Sequence, residues 1–471
     1  MDSKISEEDL QSRKHMDLLL DKAKNKILDA ENVTIFTHTD CDGVTAGSIL
    51  SSLLDKLEIE HTVNFVDINE VDELTSDTDV TLISDLGAGQ NLTSVSKNST
   101  TIVLDHHPPI RPLNENNGII EINPNYYGWD GSYTISGGGL SYLLAKRFHF
   151  YDLSWMGILS AVGDMQNNMT GKLRGLNTEI LKDSIEVGNV EYINDLLLYG
   201  RNTRPLFIAL SYFGDIHLPL TNNRNECIHF LESLNIPIKN DTGAVRCLCD
   251  LNMEEKSRLF SELLKMMTRE VPDRYVKYVP RLISGESYEF TFEEEYTPYK
   301  DASEYSTIIN ACGRNRRFDL GMQVIKGHRH EIRSELDALV KQHKRYLAQS
   351  LSDIQEENNI EILDNLQYFY GEGIKPSVVG TIAGMLLSNY DWQKPMVGYT
   401  HVDGDQQGYK VSLRCSKLLG YDGIHFGNLV RKVASKCGGS GGGHSVACGA
   451  YIPEDNISDF INLLNNSIHL N

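Results

Sequence analysis

The chain contains 471 residues, of which 40% are apolar, and its formal net charge is −21 at pH 7. One core rarely grows this large, so two or three domains are expected. The acidic balance argues against high-affinity nonspecific binding to nucleic acid. No apolar stretch reaches membrane-spanning length, residues 1–21 are too charged for a secretory signal, and the eight cysteines include no CxxC pair. We therefore expect a cytoplasmic protein with reduced thiols and no membrane partner.

Strand-like and helix-like segments alternate in the first third of the chain, after a predicted helix over residues 1–30. Runs rich in β-branched residues predict strands near 33–37, 61–66, 80–86, 101–104 and 119–122, and helices are predicted near 44–57, 138–148 and 153–168. This order is typical of a parallel sheet with crossover helices.

The remainder of the chain predicts further domains. Residues 172–220 are expected to be mostly helical, 222–298 to be an inserted, mainly helical subdomain, and 301–326 to resume the alternation. A long amphipathic helix is predicted over 328–358, and its polar far face suits a connector between two domains. A smaller α/β unit follows from 359 to 471. The predicted fold class is α/β, with a parallel-sheet domain joined by a long helix to a smaller α/β domain.

Aspartate and histidine cluster where three of the predicted strands end, in Thr37–Gly43, Ser84–Gly87 and Leu104–Pro108. Ligands of open α/β sheets gather at the carboxyl ends of strands, so these loops are expected to converge. Mixed carboxylate and imidazole donors suit Mn²⁺ better than a structural zinc site, with Mg²⁺ and Co²⁺ as alternatives. The sequence thus predicts a site for two divalent metal ions. The candidate ligands are His38, Asp40, Asp42, Asp85, His106 and Asp164.

Three further segments are candidates for phosphate binding. The Gly-rich run that ends in Gly441, Gly442, Gly443 and His444 could bring backbone N–H groups close to a phosphate, although a flexible surface loop is an equal alternative. Arg414 follows a strand-like segment and could contact phosphate with two N–H groups, but a lone arginine is usually a solvated surface residue. Arg314, with two arginines behind it, is either a phosphate clamp or part of a charged helix face.

The motifs resemble a known family. Thr37–Gly43, Ser84–Gly87, Asp105–His107 and Gly163-Asp164 resemble successive motifs of the DHH phosphoesterase superfamily, and Gly441–His444 resembles the signature of its associated domain. Three more segments, 310–314, 378–383 and 411–416, are similar to elements of RecJ-type exonucleases. The length and the 222–298 insertion most resemble the archaeal RecJ-like branch. One departure is Leu413, where bacterial RecJ tends to carry glycine.

This resemblance implies a division of the chain and a role for each candidate residue. The implied domains are a DHH catalytic domain (1–221), an insertion (222–298), a return to the DHH domain (299–327), a connecting helix (328–358) and a DHH-associated substrate-binding domain (359–471). The resemblance implies that His38, Asp40 and Asp85 hold one ion, and that Asp42, Asp85, His106 and Asp164 hold the other. His107 would face the scissile phosphate and act with Asp85 in catalysis.

The implied activity is a Mn²⁺-dependent exonuclease on single-stranded DNA or RNA, in DNA replication or repair. A phosphodiesterase that acts on short oligonucleotides or cyclic dinucleotides is an alternative on the same site. A further alternative is a partner of GINS-type replisome or helicase proteins with a secondary nuclease activity. The sequence specifies neither the polarity of digestion nor the choice between DNA and RNA.

Overall fold

The computed structural model describes residues 7–113, 118–356, 359–402 and 408–469. The start of the helix predicted over 1–30 and the last two residues of the one predicted over 328–358 lie outside these ranges. The elements of the first 190 residues are α1 (Glu7–Leu28), β1 (Asn32–Thr37), α2 (Cys41–Lys56), β2 (Glu60–Phe65), β3 (Val80–Ser84), β4 (Thr100–Leu104), β5 (Ile119–Ile122), α3 (Gly131–Thr134), α4 (Gly137–Lys146), α5 (Ser154–Gly163) and α6 (Leu176–Glu186).

The first five strands form one parallel sheet in the order β2-β1-β3-β4-β5. Nearly every residue of β1, β3 and β4 is buried, as expected for strands covered on both faces. The register pairs Thr37 with Ser84 and Ser84 with Leu104, so the three strands end side by side. The loops that follow them therefore start from one edge of the sheet.

The middle of the chain is mostly helical. Its elements are β6 (Val190–Leu196), α7 (Leu206–Ser211), α8 (Arg224–Ser233), α9 (Met253–Glu270), α10 (Asp273–Val276), α11 (Val279–Ile283), β7 (Ser284–Phe290), α12 (Ala302–Arg314), α13 (Phe318–Ile325) and α14 (Arg329–Glu356). Strands β6 and β7 pair with each other. The alternation expected over 301–326 is absent from the structure, which has two successive helices there, because the buried residues of α12 and α13 recur at helical spacing.

The last part of the chain forms a second α/β unit. Its elements are β8 (Ile360–Ile362), β9 (Gln367–Tyr370), α15 (Val379–Leu387), β10 (Met396–Val402), β11 (Gly408–Arg414), α16 (Lys417–Tyr421), α17 (Phe426–Lys436), β12 (Ser440–Gly443), β13 (Ala447–Pro453) and α18 (Ile457–Ser467). The six strands form a sheet in the order β12-β13-β11-β10-β9-β8, in which only β9 and β10 run parallel. The predicted α/β fold, a parallel-sheet domain plus a second α/β domain, is confirmed.

Two compact units divide the chain. The first comprises Met1–Asn194 and Glu286–Val340, and the second comprises Asp195–Gly285 and Lys341–Asn471. The predicted insertion bounds, 222 and 298, differ from this division. The reason is that α7, before residue 222, shares an apolar core with α8 and α9, to which it contributes Leu206 and Leu210. None of the described helices is long and apolar enough to cross a bilayer.

Candidate metal centre

The three motif loops bring carboxylates and imidazoles together at the edge of the parallel sheet. His38 Nδ1 lies 3.2 Å from Asp40 Oδ2 and 3.3 Å from Asp85 Oδ2. Asp40 also caps α2, since its Oδ1 accepts from the Gly43 amide at 3.0 Å. His38, Asp40 and Asp85 thus form one group whose donor atoms all lie within 4.8 Å of one another.

A second group surrounds His106. Its Nε2 lies 3.2 Å from Asp85 Oδ1, 3.5 Å from Asp42 Oδ2 and 3.8 Å from Asp164 Oδ2. Asp164 follows the last residue of α5 and is therefore supplied by a helix end rather than by a strand end. Asp85 contacts both histidines with different oxygens, so the two groups share it.

The backbone of Asp85 turns away from strand β3 and places the carboxylate between the two groups. It follows β3 directly and has φ of +60°, a left-handed conformation that aspartate tolerates better than most residues. Its amide still donates to the Leu104 carbonyl at 3.0 Å, so the turn away from the strand begins at Asp85 itself. The carboxylate is only 2% exposed, and it reaches His38 and His106 from between them.

Asp42 is held by the start of α4. The amides of Gly137 and Gly138 donate to its two oxygens at 2.8 and 2.7 Å, and the Ser160 hydroxyl donates to Oδ1. The first amides of a helix have no hydrogen-bond partner within the helix and therefore favour an anion such as this carboxylate. Glycine is required at 137, where a Cβ would lie 2.5 Å from the Asp85 Cβ. Sequence reasoning missed these contacts, although the Gly137–Gly139 run was a usable signal.

A buried polar network orients His106 and Asp164. His106 Nδ1 lies 2.9 Å from the Gly131 carbonyl, so Nδ1 carries a proton and Nε2 is the nitrogen that faces the carboxylates and would bind a metal ion. Gln166 donates to the same carbonyl and to Asp164 Oδ2, both at 2.9 Å, and its own oxygen accepts from Asn177 at 2.6 Å. Sequence reasoning missed Gln166, because nothing local distinguishes it.

His107 differs from the other two histidines because it reaches solvent. Its side chain is 43% exposed, whereas Asp105 beside it is fully buried. Asp105 Oδ1 accepts from His107 Nδ1 at 2.8 Å, and its Oδ2 accepts from the Ala88 amide at 2.8 Å. Burial works to raise the pKa of Asp105, but His107 and its other donors lower it below the usual range. Asp105 is therefore a carboxylate that orients His107.

The electrostatics of the centre fit divalent cations. Among the described residues, His38 Nδ1 and Asp85 Oδ2 are buried 3.3 Å apart, yet neither makes a hydrogen bond, and buried polar atoms of this kind are costly unless a ligand satisfies them. Burial, Asp85 and Asp164 raise the pKa of Asp42 well above its usual value. Burial works to lower the pKa of His106, but Asp164, Asp85 and Asp42 raise it. Carboxylates crowded in this way are stabilised by positive charge.

The segment that holds Arg314 contacts the first motif loop. Asn310 Oδ1 accepts from the Cys41 amide at 3.3 Å, and a Cβ on Gly313 would lie 2.2 Å from the Thr39 carbonyl oxygen. Arg314 is the last residue of α12 and so stands next to this contact. Two neighbouring arginines are engaged elsewhere, since Arg316 pairs with Asp67 at 3.0 Å and Arg317 with Asp319 at 2.8 Å.

The remaining predicted phosphate contacts lie in the second unit, at one end of its sheet. Gly443 pairs with Cys448, which pairs with Leu413, so Gly443 and Leu413 are two strand spacings apart, about 10 Å. Arg414 Nη1 donates to the Leu413 carbonyl at 2.8 Å. A Cβ on Gly380 would lie 2.6 Å from Arg414 Nη2, so glycine at 380 makes room for this guanidinium.

The Gly-rich run is not the flexible surface loop that the sequence left open as an alternative. Gly441, Gly442 and Gly443 belong to β12, an edge strand that pairs with β13, and the loop interpretation was wrong. Glycine has a low strand propensity, but pairing with a neighbouring strand overrides it here. A Cβ on Gly441 would lie 2.8 Å from that of Ala450. His444 follows the strand and donates its amide to the Ala447 carbonyl at 2.9 Å.

Three family models match successive parts of the chain. The DHH family N-terminal domain matches residues 32–162, which include all three strand-end motifs, the DHH-CID domain matches 198–279, and the DHHA1 domain matches 363–470, which include Arg414 and Gly441–His444. The chain belongs to the DHH superfamily. An uncharacterised protein of Methanocaldococcus jannaschii is 29% identical to this DHH protein over 464 residues, 96% of this chain and 97% of the relative.

Solved structures show that this DHH protein has a RecJ-like fold. CDC45 from Entamoeba histolytica is 14% identical and superposes with a TM-score of 0.59 over 96% of this chain and 98% of that chain. RecJ from Thermus thermophilus, in complex with Mn²⁺, is 14% identical and gives a TM-score of 0.56 over 96% of this chain and 54% of that chain. At this identity the similarity is one of fold.

Proposed function

We propose that this DHH protein is a divalent-metal-dependent phosphodiesterase that acts as an exonuclease on single-stranded DNA or RNA. The observation that carries the proposal is that Asp85 contacts His38 with one carboxylate oxygen and His106 with the other, and so joins the donors around the two histidines. Buried atoms without a hydrogen-bond partner among the described residues, His38 Nδ1 and Asp85 Oδ2, support a ligand between them. The similarity to a Mn²⁺ complex of RecJ supports Mn²⁺ as the ion.

The residues divide into two ligand sets under this proposal. His38, Asp40 and Asp85 would hold one ion, and Asp42, Asp85, His106 and Asp164 would hold the other. Two divalent ions, when bound, supply positive charge to the phosphoryl oxygens and a nucleophile at neutral pH. The Gly137 and Gly138 amides fix Asp42, and the Gly131 carbonyl fixes the tautomer of His106, so the donor atoms are oriented before binding.

His107 would act on the substrate rather than on the ions. Its exposed ring, oriented by Asp105, can donate a proton or a hydrogen bond to a phosphoryl oxygen. Arg314 beside the first motif loop, and Arg414 with Gly441, Gly442, Gly443 and His444 in the second unit, would contact the phosphates of the chain. Since the whole protein is strongly acidic, a few local contacts of this kind would have to retain the substrate.

Digestion of end-labelled DNA and RNA oligomers of several lengths, with Mn²⁺, tests the activity. We expect stepwise shortening of single strands, none of blunt duplexes, and none after chelation of the metal. The Asp85→Ala variant should be inactive, because its carboxylate serves both donor groups, while Asp77→Asn, an exposed carboxylate, should be fully active. Turnover by Asp85→Ala at the wild-type rate would contradict the two-ion scheme.

A phosphodiesterase on short oligonucleotides or cyclic dinucleotides is the alternative on the same site, and the length series distinguishes it. Hydrolysis confined to dimers, trimers or cyclic dinucleotides would replace the exonuclease proposal. A role as a partner of GINS-type replisome or helicase proteins is the second candidate. It is supported by the fold similarity to CDC45, which extends over 96% of this chain and 98% of that chain.

A further inference from the structure

Five aromatic side chains share one face of the sheet in the second unit, and we call this surface the tyrosine face. The register places Tyr399 of β10 beside Tyr370 of β9, and His401 of β10 beside Tyr409 of β11. Tyr368 lies two residues from Tyr370 and so points to the same side. Ring centroids are 5.2 Å apart for Tyr370 and Tyr399, 5.4 Å for Tyr399 and Tyr409, and 5.6 Å for His401 and Tyr409.

The opposite face of the same strands is occupied by the fold itself. Phe369, between the two tyrosines of β9, is fully buried, and a Cβ on Gly398 would lie 2.4 Å from its ring and 3.0 Å from Val379 of α15. The rings of the tyrosine face are half-buried or exposed, and Tyr370 is 37% exposed. A group of partly exposed aromatic rings on one surface is typical of a binding site.

The charges around the tyrosine face are negative. Tyr368 Oη donates to Glu361 Oε2 at 2.5 Å, and His401 Nε2 lies 4.0 Å from Glu454 Oε2. Burial raises the pKa of Tyr370, and Glu372 and Glu454 raise it further. Lys410 alternates with Tyr409 along β11 and therefore points to the other face. A ligand phosphate on the tyrosine face would meet three carboxylates.

We propose that the tyrosine face binds an arginine- or lysine-rich segment of a partner protein. Guanidinium and ammonium groups are attracted to the faces of tyrosine rings, and arginine also stacks on them. The carboxylates of Glu361, Glu372 and Glu454 complement the same groups at the rim. Single-stranded nucleic acid, which also stacks on aromatic rings, is disfavoured by these carboxylates. The proposal is independent of the hydrolytic site and goes beyond its activity.

Fluorescence anisotropy with labelled peptides tests the proposal on the full chain. The probes are an arginine–serine repeat, a glutamate–serine repeat of the same length, and an oligothymidylate. Since each cation–π contact at an exposed site contributes modestly, the double variant Tyr370→Ala/Tyr409→Ala should weaken binding of the arginine peptide roughly five- to thirtyfold. Tyr370→Leu/Tyr409→Leu, which keeps apolar bulk but no ring, should weaken it similarly.

Matched controls distinguish binding at the tyrosine face from binding driven by the overall negative charge of the protein. Tyr192→Ala removes a tyrosine that is 47% exposed elsewhere and should leave binding unchanged. Glu372→Gln/Glu454→Gln should weaken binding more than Glu186→Gln/Glu191→Gln, which removes the same charge elsewhere. All variants should hydrolyse oligonucleotides at the wild-type rate.

Three results would overturn the proposal. The first is that the arginine peptide does not bind, or binds the tyrosine-face variants and Tyr192→Ala equally. The second is that the two pairs of glutamine substitutions have the same effect. The third is that the oligothymidylate, rather than the peptide, loses affinity in Tyr370→Leu/Tyr409→Leu, which would identify the face as a nucleic-acid platform.

Discussion

The carboxylate of Asp105 is fully buried, and it accepts a hydrogen bond from the solvent-exposed imidazole of His107. It also accepts from the amides of Ala88 and His107, so its position is determined from three directions. A carboxylate fixed in this way sets the tautomer and orientation of the ring it holds. We therefore assign Asp105 as a positioning residue for His107.

Asp105→Asn tests this assignment at the residue scale. We expect kcat to fall about 10- to 100-fold, as for other residues that orient a functional histidine, with KM and Mn²⁺ stoichiometry close to wild type. Steady-state hydrolysis measures kcat and KM, and calorimetric titration with Mn²⁺ measures the stoichiometry. Asp77→Asn serves as the exposed control. An unchanged kcat in Asp105→Asn, or loss of Mn²⁺ binding by this variant, would contradict the positioning role.

At the scale of elements, the N-terminus of α4 is the main support of the centre, because it contacts two carboxylates at once. Its amides bind Asp42, and Gly137 leaves room for Asp85. We expect Gly137→Ala to lower the free energy of unfolding by about 1–3 kcal/mol, the usual cost of forcing a methyl group into a packed site, and to weaken Mn²⁺ binding.

Urea unfolding and Mn²⁺ titration check this expectation. Gly384→Ala is a matched control, since it adds a methyl group to helix α15 where the nearest atom is 3.7 Å away. It should be neutral or stabilise by up to about 1 kcal/mol, the difference in helix propensity. Wild-type Mn²⁺ affinity in Gly137→Ala would show that α4 does not constrain the ligands.

The start of α9 in the second unit depends on a buried ion pair. Arg246 donates to Glu255 with two nitrogens, at 2.8 and 2.6 Å, and Glu255 also caps the helix by accepting from the Asn252 amide. Arg246→Ala should cost about 3–5 kcal/mol of unfolding free energy, because it leaves a buried charge unpaired. Arg258→Ala, which breaks an exposed pair with Glu254 on the same helix, should cost below about 1 kcal/mol.

The pH dependence of this pair has a defined sign. The hydrogen bonds from Arg246 lower the pKa of Glu255 in the folded state. The pair therefore stabilises fully above the unfolded pKa of glutamate, about 4.3, and its contribution is lost as the pH falls through the lower folded value. Urea unfolding at pH 7 and below pH 4 measures this contribution. Between the two pH values the free energy of unfolding should fall less in Glu255→Gln than in wild type. An equal loss would contradict this linkage.

At the scale of the whole molecule, the charge of −21 limits how nucleic acid is held. If Arg314 and Arg414 are the cationic contacts, the logarithm of the affinity for single strands should fall with the logarithm of salt with a slope of about −1.4, or −0.7 for each phosphate contact. Arg414→Ala should reduce the slope to about −0.7. Binding of labelled oligothymidylate across a salt series, without metal, measures it. An unchanged slope would remove Arg414 from the substrate contacts.

The sequence predicted those parts of the fold and site that have local signals. The β-branched runs mark β1, β3 and β4, and the candidate ligands His38, Asp85 and His106 follow them within two residues, so convergence could be expected from topology alone. The structure brings all six candidate ligands together, and their role as ligands stays a prediction.

What the sequence could not indicate depends on contacts between distant segments. Gln166 and Ser160 reach the ligands only through tertiary packing, and neither belongs to a recognisable motif. The strand conformation of Gly441–Gly443 contradicts the local propensity of glycine and results from pairing with β13. The five rings of the tyrosine face come from three strands, and only the register places them side by side.

The contact between Asn310 and Cys41 has a consequence for biosynthesis. The first motif loop is supported by a helix that lies 269 residues later in the chain, beyond the whole segment Asp195–Gly285 of the other unit. At usual elongation rates of about 5–20 residues per second, the loop waits roughly 13–54 s for that helix to be synthesised. All six candidate ligands precede residue 165, so a nascent chain carries them well before the helix that supports the first motif loop is made.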